Sequence, residues 1–227
     1  MTAVRRSALE AAHAAAGARW LSDDVRWPAG YADDEAPEGT RLAEVGPFDE
    51  LLLRGPGALA AIATLTGEAH DDARPRVVPA DLRGTRGEAW LLGPDEALLV
   101  APVGEWVVTL ARDLASEDVS AIEMTGTRTT LRLAGPAAPD ILAELSAADT
   151  HPRSMAEGSL AQAPMVGVRA FIARQDAIEG PAYTMMVSRD EARYIWDAIR
   201  QIGAAHGLRV VGPAAVAVAA TTAGGRA

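Results

Sequence analysis

Glu50-Leu51-Leu52-Leu53-Arg54 runs into Gly55-Pro56-Gly57, and 80 positions after that Gly-Pro, Thr130-Leu131-Arg132-Leu133-Ala134 runs into Gly135-Pro136. Each apolar run has strand character and stops at Gly-Pro. A stretch rich in Ala and Leu follows each time, over residues 58–65 and 137–145. Proline suits the first turn of a helix, where its missing N–H would have had no partner. Both units therefore predict strand, tight turn, helix. We read them as an internal duplication; a chance recurrence of a common strand–helix junction is the alternative.

Working outward, Ala89-Trp90-Leu91-Leu92, the Gly93-Pro94-Asp95 turn and Ala97-Leu98-Leu99-Val100 predict a β-hairpin. Residues 103–114 predict a helix with Trp106 on one side. Residues 165–172 predict one strand, with residues 182–187 as its hairpin partner and a turn at Ser188-Arg189-Asp190. Residues 191–202 predict an amphipathic helix with Tyr194, Ile195, Ile199 and Ile202 in the core. Near the start, Ser7-Ala8-Leu9-Glu10 reads as a capping box before a helix. Leu9, Ala12, Ala16 and Trp20 share one face of it, and Gly17 is a candidate stop. Trp90, Trp106 and Trp196 fall in apolar patterns and are assigned to the core or to a subunit interface. Hairpins outnumber βαβ units, so the class is α+β with largely antiparallel sheets. No linker forces a split, so residues 1–227 are read as one domain, with a flexible tail from about residue 218.

Composition excludes several chemistries. All 21 cationic residues are Arg, and Cys and Lys are absent. That removes thiolate nucleophiles, Cys-ligated zinc, lysine Schiff bases and the P-loop lysine. Four scattered His argue against a metal site. A net charge of -10 disfavours nucleic-acid partners and anionic membranes. Neither a long apolar run nor a signal-peptide pattern is found, so a cytoplasmic location is expected.

Ser7-Ala8-Leu9-Glu10-Ala11-Ala12-His13 with Gly17-Ala18-Arg19, and Gly46-Pro47-Phe48-Asp49 ahead of the first Gly-Pro unit, resemble the start of glycine-cleavage T-proteins (aminomethyltransferases). The hairpin from Ala89 to Pro102 is similar to sarcosine-oxidase gamma subunits. Asp149-Thr150-His151-Pro152-Arg153 resembles their Asp-Leu-His-Pro-Arg segment, and Tyr194-Ile195-Trp196 the helix that follows. The order of these segments, from about Arg6 to Gly224, carries the resemblance. It implies a three-layered T-protein-type fold with a central cleft that in T-proteins holds tetrahydrofolate.

The resemblance also nominates site residues. Glu68 is the best match to a family carboxylate that assists methylene transfer, and a solvated loop acid is its plain alternative. Glu179 lies in the turn matching one that hydrogen-bonds the pteridine ring. Arg174 and Tyr183 flank that turn and are carried as cofactor contacts, with Trp20 and Trp27 as candidate pocket walls. His151 and Asp149 are further candidates, His151 more simply as a loop-stabilising residue. The family's charged C-terminal segment is replaced here by Gly212-Pro213-Ala214-Ala215-Val216, so the arginines that would meet folate carboxylates are missing.

Two readings follow. The first is an accessory subunit of a folate-linked, flavin-dependent amine oxidase of the sarcosine type, or a folate-binding T-protein-like protein of one-carbon metabolism. Its partners would be flavin oxidase subunits or further copies of itself, and its cofactor tetrahydrofolate. The second is a stand-alone enzyme that reuses the cleft on a small amine-bearing metabolite, with Glu68 catalytic.

Overall fold

The computed structural model describes residues 5–32, 34, 38–70, 74–177 and 180–217. In chain order the elements are β1 (Arg5–Arg6), α1 (Glu10–Ala15), β2 (Arg19–Trp20), β3 (Val25–Arg26), β4 (Pro28–Gly30), β5 (Arg41–Val45), β6 (Phe48–Arg54), α2 (Ala58–Thr66), β7 (Arg76–Leu82) and β8 (Thr85–Gly93). There follow β9 (Glu96–Pro102), α3 (Trp106–Leu114), β10 (Ser120–Glu123), β11 (Arg128–Ala134), α4 (Ala138–Leu145), β12 (Leu160–Met165), β13 (Val168–Arg174), β14 (Ala182–Ser188), α5 (Ala192–Gly203) and β15 (Arg209–Val210).

Two sheets carry the fold. One has five strands in the order β10-β6-β9-β8-β7, the other six in the order β12-β13-β14-β11-β5-β15. All pairings within them are antiparallel except β15 with β5. The α+β class and antiparallel sheets expected from the sequence are thus found.

The internal duplication is found as well. In one sheet β6, α2 and the meander β7-β8-β9 are followed by α3. In the other β11, α4 and the meander β12-β13-β14 are followed by α5. The four-strand order β6-β9-β8-β7 repeats as β11-β14-β13-β12. Gly55 and Gly135 do the same work in each half. Their φ angles are 129° and 120°. A Cβ on Gly55 would lie 2.3 Å from the Asp118 carbonyl oxygen, and one on Gly135 2.4 Å from that of Gly39. Only glycine permits both the dihedral and the approach.

Strand alternation sorts side chains into three apolar layers. Leu51, Leu53, Leu91 and Leu99 face α2 and α3. Leu131, Leu133, Ile172 and Met185 face α4, α5 and the end of α1. Leu52, Trp90, Leu98, Ala173 and Met186 meet in the middle, between the sheets. The arrangement is helix, sheet, sheet, helix: four layers rather than the three expected. Each half supplies its own helical cover, so the duplication itself adds the fourth.

Several local expectations need correction. Residues 165–172 form a hairpin rather than one strand, because β12 turns into β13 at Val166-Gly167, with φ of 42° and 88°. A Val in the left-handed region costs energy, and the valines on either side of Gly167 conceal the turn. The first helix is only Glu10–Ala15, and Trp20 lies in β2. Ser7 makes no capping box; its hydroxyl accepts from Leu9 N and donates to Glu44, while Glu10 binds Arg6. Tyr194 is 53% exposed and Trp196 takes the buried position on α5. Gly17, with φ 74°, does end α1's segment in the left-handed conformation. The expected flexible tail from about residue 218 lies outside the described residues. Among the described residues no helix is long and apolar enough to cross a membrane.

Candidate functional site

Polar side chains collect where the inter-sheet layer stops being apolar. On β11 the residues Arg128, Thr130 and Arg132 alternate onto the inner face, opposite Glu50 of β6 and Glu88 of β8. The space between the sheets is therefore lined by ionic groups towards β5 and β11, and by Trp90, Leu98 and Met186 elsewhere.

Glu88 bridges the sheets. Its Oε1 accepts from Gln175 Nε2 at 2.6 Å and its Oε2 from Trp90 Nε1 at 3.0 Å. Beside it, Arg132 is 3% exposed. Its Nη1 donates to Thr184 Oγ1 at 2.8 Å and its Nη2 to the Gln175 carbonyl at 2.6 Å, while its Nε has no partner. Burial pushes this guanidinium down to about 10, opposed by the charges of Glu88 and Asp176. Sequence reading missed both Glu88 and Arg132. The available signal was a charge inside each of two apolar strands, Glu88 next to Ala89-Trp90-Leu91 and Arg132 between Leu131 and Leu133.

An open hollow of about 240 Å³ lies at the mouth of the same space. Trp27, Val45, Pro47 and Phe48 form its apolar side. Arg5, Arg6, Arg128, Arg189 and Glu50 form its charged side, with Thr125, Thr129 and Thr130 between. Three elements supply the arginines: β1, the start of β11 and the turn after β14. Arg128 Nη1 lies 2.6 Å from Glu50 Oε2 and stacks on Phe171, 5.6 Å from the ring centre. Burial raises the Glu50 carboxyl above its ordinary value, and Arg128 pulls it back.

A second polar network locks α1 down. His13 Nε2 lies 2.7 Å from Glu44 Oε2 and His13 Nδ1 2.6 Å from the Tyr31 hydroxyl, all buried. Burial and the neighbouring Glu44 push the Tyr31 hydroxyl upward. The ring also packs edge-on against Trp196, 5.1 Å between centres. This network joins α1 to β5 and opens to no hollow described here.

The residues nominated from the sequence fall in separate places. Glu68 is exposed in the turn after α2, its backbone carbonyl and N–H held by the Thr66 hydroxyl, and it does not line the hollow. Glu179 lies outside the described residues. Trp27 lines the hollow, whereas Trp20 is half-buried under the Arg26 guanidinium. Asp149, His151, Arg174 and Tyr183 do come together, as a clamp on the loop 149–155. Asp149 accepts from His151 N, and His151 Nδ1 accepts from Arg153 N. The Ser154 hydroxyl, then the His151 N–H, hold the Asp149 carboxyl below its ordinary value. Arg174 donates to the Pro152 and Met155 carbonyls and pairs with Asp176 at 2.5 Å. Tyr183 donates to the Thr150 carbonyl at 2.6 Å, and burial pushes its hydroxyl up to about 12.

Comparisons with known proteins agree with this architecture. The chain is 38% identical to sarcosine oxidase subunit gamma of Corynebacterium sp. (strain P-1) over 138 residues, 57% of this chain and 66% of that one. It is 26% identical to an aminomethyltransferase of Saccharopolyspora erythraea over 228 residues, 93% of this chain and 62% of that one. The chain thus spans slightly less than two thirds of the length of either curated relative. Among solved structures, heterotetrameric sarcosine oxidase from Corynebacterium sp. U-96 has a chain matching with a TM-score of 0.66 at 24% identity, over 89% of this chain and 96% of that one. The glycine cleavage system aminomethyltransferase T of Bartonella henselae matches with a TM-score of 0.76 at 18% identity, over 93% of this chain and 60% of that one. These two structures establish the likeness of fold. The family model for the GCVT N-terminal domain matches residues 95–224, more than half of the chain, and the protein belongs to that family.

Proposed function

We propose that this chain is an accessory subunit of a flavin-dependent amine oxidase of the sarcosine type, supplying scaffold and interface rather than chemistry. The supporting observation is the state of the inter-sheet polar groups. Both oxygens of Glu88 are engaged, by Gln175 and Trp90. Glu50 is paired with Arg128. A catalytic carboxylate needs an oxygen open to the reacting atoms; both oxygens of Glu88 are spent on holding the sheets together, and Arg128 ties down one oxygen of Glu50. Similarity to sarcosine oxidase gamma subunits points the same way.

Tetrahydrofolate would ask three things of the site: a carboxylate open to the adjacent donors of the pterin edge, a slot for the ring system, and cations for the tail. Arginines are available in the hollow. Both oxygens of Glu88 are engaged and Glu50 is paired with Arg128, and the hollow itself, at about 240 Å³, is below the roughly 300–1,000 Å³ of ordinary ligand sites, continuing only into an open depression. The described residues lining the hollow do not fit a whole tetrahydrofolate.

Two measurements test the reading. The purified chain alone is expected to oxidise no N-methyl amine, and amine oxidation is expected when it is co-expressed with the flavin oxidase subunits of its own genome. Calorimetric titration of the isolated chain with tetrahydrofolate is expected to show no saturable heat. Turnover by the chain alone, or tight folate binding to it, contradicts the proposal.

A further inference from the structure

The chain carries a net charge of -10, yet four guanidinium groups converge on one hollow. Like charges brought together at a concave site repel one another unless anions answer them. Three of the four are answered from within. Arg5 pairs with Asp49 at 3.0 Å, Arg6 with Glu10 at 2.8 Å, and Arg128 with Glu50 at 2.6 Å. Arg189 is the exception. Its Nη2 donates to the Arg6 carbonyl at 2.6 Å, and it pairs with no carboxylate among the described residues. The neighbouring Asp190 is held by the Ser188 hydroxyl. Arg189 also lines the shallower depression next door, with Gly126, Thr127 and Ala8.

The rest of the lining is apolar or hydroxylic. Trp27, Pro47, Phe48 and Val45 face the arginines, and the threonines at 125, 129 and 130 offer hydroxyl donors. The hollow, at about 240 Å³, admits a ring-sized body, and it adjoins the more open depression of about 470 Å³ at Arg189 and Gly126. Inorganic anions would leave the aromatic side unused, and a neutral ring would leave the guanidinium unanswered.

We propose that this hollow binds a small organic monocarboxylate with a flat or compact apolar body. Its carboxylate is held by the Arg189 fork and its body lies between Trp27 and Phe48. Arginine suits the task because its planar fork matches a carboxylate with two parallel hydrogen bonds. The site is independent of whether the chain assembles with oxidase subunits, so failure of one reading leaves the other standing.

Benzoate is the probe, with benzamide as the uncharged isostere and sulfate as the anion without a body. In calorimetry on the full chain, benzoate is expected to bind saturably, and benzamide and sulfate are not. Arg189→Gln is expected to weaken benzoate at least about tenfold, the loss of one charge-assisted contact. Arg83→Gln, at an exposed arginine paired with Asp113 far along the chain, is expected to leave it unchanged. Trp27→Ala is expected to weaken it as well. If Arg189→Gln does not fold, Arg189→Lys keeps the charge, loses the fork, and is expected to bind more weakly than the parent. Absence of saturable benzoate binding overturns the proposal. So does equal binding of benzamide or sulfate, or an equal loss in the Arg83 and Arg189 variants.

Discussion

Gln175 Nε2 donates to Glu88 Oε1 at 2.6 Å, a hydrogen bond that crosses from the six-stranded sheet to the five-stranded one. It joins residues 87 positions apart, one from each half of the duplication. The second oxygen of Glu88 holds the indole of the fully buried Trp90. Removing the carboxylate would strand two donors between the sheets. Glu88→Ala is therefore expected to lower unfolding free energy by about 1–3 kcal/mol in urea titrations. An unchanged midpoint would show that water replaces the carboxylate at no cost.

Glu50 and Arg128 form a pair that is nearly sealed, with side chains 3% and 15% exposed. Removing one partner leaves the other charge buried. Glu50→Ala is expected to cost about 3–5 kcal/mol, whereas Glu50→Leu with Arg128→Met together is expected to recover most of that loss. A urea double-mutant cycle measures the difference. Acid titration adds a sign. The Glu50 carboxyl is raised in the fold from its ordinary 4.5, so its contribution is present below that value and is lost as pH rises through the folded value.

Alkaline pH tests the loop clamp. The Tyr183 hydroxyl ordinarily titrates at 10.0 and burial moves it up to about 12. The folded state keeps the proton that the unfolded chain gives up, so stability is full below pH 10 and falls as pH rises through about 12. Tyr31 is shifted in the same direction. Tyr183→Phe is expected to cost about 1 kcal/mol near neutral pH, through the unanswered Thr150 carbonyl, and to flatten the decline between pH 10 and 12. Equal slopes in parent and variant would remove Tyr183 from the account.

Glu68 is exposed, and its side chain makes no hydrogen bond or ion pair among the described residues. Glu68→Ala is expected to leave stability within about 0.5 kcal/mol of the parent. It is also expected to leave benzoate binding unchanged. Loss of an amine-directed activity in this variant, with the fold intact, would favour the stand-alone enzyme over the accessory subunit.

The repeated Gly-Pro unit was readable because its cause is local. A strand, a glycine that must pass within van der Waals reach of another backbone, and a proline at a helix start each leave a mark on the residue types in place. The hairpin of β8 and β9 was readable for the same reason. β5 was not, since Arg41-Leu42-Ala43-Glu44-Val45 carries two buried charges, and Glu44 is matched only by Ser7 and His13 from the start of the chain. Val166 hid a turn because a β-branched residue rarely adopts a positive φ.

The site was less legible than the fold. Arg189 looks like an ordinary turn residue until β14 sets it beside β1 and β11. Glu88 looks like a solvent-facing strand acid until Gln175 arrives from the other half. Arg174 and Tyr183 were nominated as cofactor contacts and Asp149 and His151 separately, and nothing in the sequence joins the two pairs; their geometry is that of a clamp on the loop 149–155.

Native mass spectrometry of the chain co-expressed with flavin-bearing subunits of a sarcosine-type oxidase tests the proposed accessory role. One complex containing this chain in fixed stoichiometry with the flavin-bearing subunits is expected, retained on dilution. A chain that flies only as a monomer or as copies of itself, beside a complete oxidase that lacks it, would contradict the account.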